Sequence, residues 1–311
     1  MSGILTGFAV IGLLITVGYL CARYGVTGPG QVTQKALNKI SFLIAIPALV
    51  FTVIAETPLR FLWGPVVAIQ AIVAAAAAVL YLVGTRVIRA GQHSKADLIV
   101  GATASGYINS NNMGFPIAVF VLGNPQAVVP VLLLNLLIIA PIMLMLLDVV
   151  TSGKVSWKLI LLQPVRNPLI LASIIGAVVS ATGWRVPQYL WEPLRTLGNA
   201  AIPMMLMAFG MSLVGAKPMQ AGKAPRRAIV LAALIKSLIM PTLAFVLARF
   251  IFNLPPHGVF SSVIIAALPT AQNIYNYAAR YGKGELLARD IILLTTAISP
   301  VTLIWAAAML N

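Results

Sequence analysis

Hydrophobic positions along this chain come in long runs, separated by short stretches that carry Lys, Arg, Pro or Gly. A helix that spans a bilayer needs roughly 20 mostly apolar residues. On that measure the pattern predicts ten segments: 3–22, 36–56, 62–88, 96–123, 126–149, 167–183, 190–214, 227–252, 258–281 and 287–310. The connections are too short to fold alone, and the longest polar one, Gly215 to Arg227, reads as a loop. The expectation is an all-α membrane domain of ten transmembrane helices.

Two segments break the apolar pattern in the same way. The fourth contains YINSNNMGFP, Tyr107 to Pro116, in which Asn109, Ser110, Asn111 and Asn112 precede Gly114 and Pro116. The ninth contains ALPTAQNIYN, Ala267 to Asn276, with Pro269 followed by Gln272, Asn273 and Asn276. Proline removes a backbone donor and crowds the carbonyl one turn back. In hydrocarbon such an opening survives only where protein or a wet cavity covers it. Gly114, Pro116 and Pro269 are therefore expected to open two helices near mid-membrane and let them cross. The half-helix N-termini so made carry positive partial charge. Asn109, Asn111, Asn112, Gln272, Asn273 and Asn276 are the candidate solute-binding amides. Tyr107 and Tyr275 fit core packing better than a lining role. Amides also pack transmembrane helices with no ligand, but two matched clusters beside two breaks favour a site.

The halves share a second feature. Segment 2 reads LIAIPALVF, Leu43 to Phe51, and segment 7 reads NAAIPMMLM, Asn199 to Met207, each with an Ile-Pro pair. Five segments per half give the halves opposite orientations, so residues 1–153 and 154–311 are expected to form an inverted five-plus-five repeat, as in many secondary transporters.

Composition sets the solvent. Of the 311 residues 60% are hydrophobic and 9% charged, against about a quarter charged in soluble domains. The net charge of +15 could suggest nucleic acid, but the cations are spread between the apolar runs. All but five of the 21 Lys and Arg residues fall in the loops after segments 1, 3, 5, 7 and 9. The exceptions are Arg60, Arg185, Arg195, Arg249 and Lys236. Positive loops stay in the cytoplasm, which predicts an inner-membrane protein with both termini outside. The first segment lacks the basic start of a cleavable signal and reads as a retained helix. Cys21 alone allows neither a disulfide nor a thiolate metal site.

Lys236 lies deep in LAALIKSLIMP. A charge there costs at least ~2.5–3.5 kcal/mol on insertion scales and marks function by default. Attraction of an anionic substrate and a tether to carbonyls freed at a break are equally open, and snorkelling would need a shallower position. The six acids, Glu56, Asp97, Asp148, Glu192, Glu285 and Asp290, all fall near segment ends. Asp148 and Asp290 are the candidate proton carriers, with helix-end ion pairing the plainer role. His93 and His257 are loop-proximal, so neither an HExxH zinc helix nor a Ser-His pair is available. No catalytic residue, metal or cofactor is expected, and the chain does not read as an enzyme. Asn124-Pro125 and Asn167-Pro168 lack the Ala of water-channel signatures, which leaves a channel as the last choice.

The chain resembles the auxin efflux carrier family, which includes the plant PIN-FORMED proteins and many bacterial carriers, over essentially all ten segments. Asn109 with Met113-Gly114-Phe115-Pro116 resembles the family's stretch in the fourth helix, and Arg166-Asn167-Pro168 its start of the sixth. Lys236 with Pro241 resembles the basic residue and proline of the eighth, and Leu268-Pro269 with Tyr281 the crossover and end of the ninth. The resemblance implies scaffold and transport parts, elevator-type alternating access and an organic anion as substrate. Ile108 stands where the plant proteins have proline, and their long central loop is missing. A small carboxylate such as malonate or malate therefore fits better than a plant hormone. A sodium-coupled carrier of the bile-acid or arsenite type is the alternative. The expected partners are the anion and the bilayer, not nucleic acid, and a homodimer is one assembly open to it.

Overall fold

A computed structural model describes residues 2–26, 28, 30–58, 64–88, 94–153, 167–215 and 225–310. Arg60, Arg89, His93, Lys154, Lys158, Arg166, Lys217 and Lys223, used above to orient the chain or to weigh its chemistry, lie outside the described residues. Among the described residues there are twelve helices and no strand. They are α1 (Ser2–Arg23), α2 (Val32–Ala55), α3 (Pro65–Val87), α4 (Lys95–Gly106), α5 (Phe115–Phe120) and α6 (Pro125–Ser152). The second half supplies α7 (Pro168–Thr182), α8 (Gln188–Ser212), α9 (Arg226–Ile251), α10 (Pro256–Ala266), α11 (Asn273–Tyr281) and α12 (Glu285–Leu310). Each of the ten apolar segments contains helix among the described residues; the fourth is divided into α4 and α5, the ninth into α10 and α11. Among the described residues five helices, α2, α3, α6, α9 and α12, are long and apolar enough to cross a membrane. The protein is a multi-pass membrane protein.

Helices dominate because a backbone N–H or C=O left bare in hydrocarbon costs several kcal/mol. The prolines are fitted in by a repeated local device. Four five-residue π turns, Ser41–Ala45, Ser110–Gly114, Asn135–Ile139 and Ile235–Ile239, each lead into an α stretch whose second residue is proline: Pro47, Pro116, Pro141 and Pro241. In three of them the first α residue reaches five positions back, Ile46 to Ser41, Ala140 to Asn135 and Met240 to Ile235. The wider turn carries the preceding carbonyls out of the path of the pyrrolidine ring and leaves polar side chains facing inward. Pro203, paired with Pro47 in the sequence, instead sits inside the unbroken helix α8.

The chain folds into two compact units. One comprises residues 1–63, 111–130 and 161–216, the other 64–110, 131–160 and 217–311, so each draws on both halves of the sequence. In the first unit α1 packs along α8, and α2 packs on α7 and α8. A Cβ at Gly210 would overlap the Ile15 carbonyl, and one at Gly18 the Met207 carbonyl, so only glycine permits the approach of α1 and α8. Such contact replaces hydrophobic burial as the source of adhesion, because lipid tails are as apolar as the helices. Phe51 of α2 meets Trp191 of α8 edge-on, with ring centroids 6.1 Å apart.

In the second unit α3 turns Ile69, Val73, Ala77 and Tyr81 inward at four-residue spacing, while Ile72, Val79, Leu80 and Val83 face outward. Both faces are apolar, as expected of a helix with protein on one side and lipid on the other. Gln70 is buried on the same helix and its Nε2 donates to the Ser262 carbonyl of α10 at 2.8 Å. The rest of this unit is arranged around two gaps in its helices.

Candidate functional site

The first gap spans Tyr107, Ile108 and Asn109, between α4 and the π turn Ser110–Gly114. It lies ahead of Gly114 and Pro116 rather than at them: Gly114 keeps right-handed helical angles, and Pro116 opens α5. The wide turn accommodates the proline, and Tyr107, extended at φ −79° and ψ 115°, is where α4 stops. The second gap covers Ala267–Gln272, with Pro269 at its centre.

Inside the second unit the two gaps pair with each other. Ile108 and Thr270 face one another in an antiparallel bridge. The Asn109 N–H donates to the Pro269 carbonyl at 2.8 Å, and the Ala271 N–H to the Tyr107 carbonyl at 3.3 Å. Each bond runs from the residue after the bridge to the residue before it, so the exchange has local two-fold symmetry. Side chains satisfy three further backbone groups beside the bridge. Asn135 of α6 donates Nδ2 to the Ile108 carbonyl at 2.8 Å and to Ser110 Oγ at 3.2 Å. The Thr270 hydroxyl donates to the Ala104 carbonyl at 2.8 Å, and the Thr270 N–H donates to Thr295 Oγ1 of α12 at 3.2 Å. Where the helical ladders stop, six polar contacts replace them.

Lys236 closes the account. It is 1% exposed, on the π turn of α9, and its Nζ donates to the carbonyl of Ala266, the last residue of α10, at 2.9 Å. A second contact runs to Met240 Sδ at 3.3 Å. Neither partner is acidic. Of the two roles open from the sequence, this geometry is that of a tether to a carbonyl at a break.

The other predicted residues separate into groups. Asn109 is buried beside the pairing, whereas Gln272 and Asn276 are exposed and Asn273 half-buried at the start of α11. Tyr107 is buried next to Tyr277 and Asn273. Asn111, Asn112, Gly114 and Pro116 belong to the first unit, where Asn111 Nδ2 donates to Asn112 Oδ1 at 3.2 Å. Asp148 accepts the Tyr281 hydroxyl at 2.7 Å. Asp290 is fully buried and pairs with its neighbour Arg289 at 2.8 Å, while its Oδ2 meets no donor among the described residues. Asn135, Thr270, Thr295 and Tyr277 were not singled out from the sequence. For Asn135 the signal was there, a lone amide in LLLNLLIIAP, since a polar residue amid so many apolar ones needs a partner. Threonines and tyrosines give no such signal, because they are common in any transmembrane helix.

Comparison with known proteins gives this arrangement a context. A family model described as a membrane transport protein matches residues 4–306. A protein of Rhizobium meliloti (strain 1021) named "Putative malonate transporter" is 28% identical over 303 residues, covering 93% of this chain and 90% of the relative. An uncharacterized transporter of Methanocaldococcus jannaschii is 23% identical over 317 residues, covering 97% of each.

Proposed function

Because the chain belongs to the membrane transport protein family of the auxin efflux carriers, whose role is transport rather than catalysis, we propose that it is a secondary carrier of a small organic carboxylate. The observation that carries this reading is the second gap. There α11 begins with its positive dipole end and the amides of Gln272, Asn273 and Asn276, and none of the three is acidic. A carboxylate gains from such an end; a cation meets the wrong sign and would need acids or bare carbonyls. Malonate is the first candidate, since a relative similar over most of its length carries that name. Asn109, buried beside the pairing, is the candidate solute amide at the first gap.

Ten membrane crossings in an inverted repeat, with the unit that contains both gaps moving with its solute in an elevator-type cycle, form the architecture that goes with this reading. The symmetric exchange at Ile108 and Thr270 supports the repeat. Purified protein in liposomes is expected to take up radiolabelled malonate, with unlabelled malate and acetate competing in graded order. Preference for an organic cation such as choline would overturn the reading. From the cation distribution we further propose that both termini face outward from the inner membrane. Cysteine introduced by Ser2→Cys on a Cys21→Ser background is expected to react with an impermeant maleimide in intact cells, and protection of that position, with labelling of a second variant that carries Ala221→Cys instead, would reverse the orientation.

A further inference from the structure

The role of Lys236 can be taken beyond a tether. Helix α10 ends at Ala266 in the interior of its unit, and the end of any helix leaves carbonyls without intrahelical partners and a partial negative charge of about half an electron. In a medium of low dielectric such an end calls for a cation. Broken helices of secondary transporters commonly meet that demand with a mobile sodium ion held by freed carbonyls. Here the ammonium of Lys236 stands 2.9 Å from the Ala266 carbonyl, fixed by a π turn whose next α stretch opens with Met240-Pro241. The thioether of Met240, at 3.3 Å, is a weak and neutral partner. Of the buried acids of the same unit, Asp148 accepts from Tyr281, and Asp290 pairs through Oδ1 with Arg289 while its Oδ2 meets no donor among the described residues, Lys236 included. Burial of a charge at such depth is otherwise unexplained, since it is costly and no carboxylate pairs with it among the described residues.

We propose that the Lys236 ammonium is a resident cation, covalently held where a mobile coupling ion would sit at the C-terminus of α10. The inference rests on the transporter reading above but concerns the helix end rather than the solute. It has two consequences. Wild-type protein needs no sodium, because the cation is already present. Removal of the side chain leaves a carbonyl-lined vacancy of cationic preference, open to sodium or to a small alkylammonium ion.

The test uses Lys236→Ala in purified full-length protein, with thermal stability measured at equal ionic strength in choline, sodium and n-propylammonium chloride. Wild type is expected to melt at the same temperature in all three. The variant is expected to melt several degrees higher in sodium or propylammonium than in choline, with a saturable dependence on concentration. Malonate uptake by wild type is expected to be equal with sodium or choline outside. Sodium-specific stabilisation of wild type, or sodium-dependent uptake by it, would overturn the proposal. So would a monodisperse variant that melts identically in all three salts. Should Lys236→Ala fail to fold, Lys236→Ser carries the same test, and identical melting of that variant in all three salts would overturn the proposal. If no organic anion is transported while the cation-specific rescue of Lys236→Ala is seen, the resident cation stands and the anion-carrier reading falls.

Discussion

The two gaps of the second unit are partners in one bridge, yet they are held by different chemistry. The first is three residues long, buried throughout, and secured by a neutral amide, Asn135. The second is six residues long, emerges at exposed Gln272, and is secured by an ammonium, Lys236. Where α4 ends, the Ala104 carbonyl receives the Thr270 hydroxyl; where α10 ends, the Ala266 carbonyl receives a full charge. The difference separates two tasks. On the proposed carrier reading, the neutral, closed gap would fix geometry, and the charged, partly open one would set the electrostatic preference at the solute site.

That division can be broken by substitution, beginning with the first gap. Asn135→Leu removes both donations from Nδ2 and strands the buried Ile108 carbonyl, which costs about 1–3 kcal/mol for the unsatisfied group. Thr295→Val withdraws the acceptor of the Thr270 N–H and is expected to fall in the lower half of the same range. Both should lower the melting temperature and the amount of active carrier while leaving the apparent affinity for the anion unchanged. A large change in affinity with normal stability would show that these two side chains meet the solute.

The smallest effect on stability is expected at the second gap. Gln272→Ala and Asn276→Ala alter exposed side chains, so each should change stability by less than about 0.5 kcal/mol. The same variants are expected to weaken malonate competition in the uptake assay by several-fold. Unchanged competition in the double variant would remove these amides from the site and leave the comparison without a functional half.

How far the sequence foretold this arrangement differs between its levels. Apolar runs located the helices of the described residues, because in hydrocarbon the length and polarity of a run decide its fate almost alone. The two interruptions were also legible from Pro269 and from the amides after Tyr107. The place of the first was not: Gly114 and Pro116 pointed to an opening that the structure has at Tyr107–Asn109. A proline announces that a helix needs accommodation, but the π turn Ser110–Gly114 provides it without a break. The contacts of Asn135, Thr295 and Lys236 were out of reach for another reason. Each joins residues 25 or more positions apart, and spacing within one helix cannot show which carbonyl on another helix a side chain will reach.

The pairing at Ile108 and Thr270 also has a consequence for how the molecule is made. The partners are 162 positions apart (270 − 108), and a ribosome adds about 5–20 residues per second. Some ten to thirty seconds therefore pass between synthesis of the first gap and synthesis of the residues that complete it. Asn135 arrives only 27 residues after Ile108 and can hold that carbonyl early, but the Asn109 N–H and the Tyr107 carbonyl must wait for Pro269 and Ala271. For a half-inserted chain the least costly course is to keep the fourth segment a closed helix. The gap would then open late, when the second half enters the membrane and offers the exchange, making the ninth segment the trigger for the final shape of the fourth.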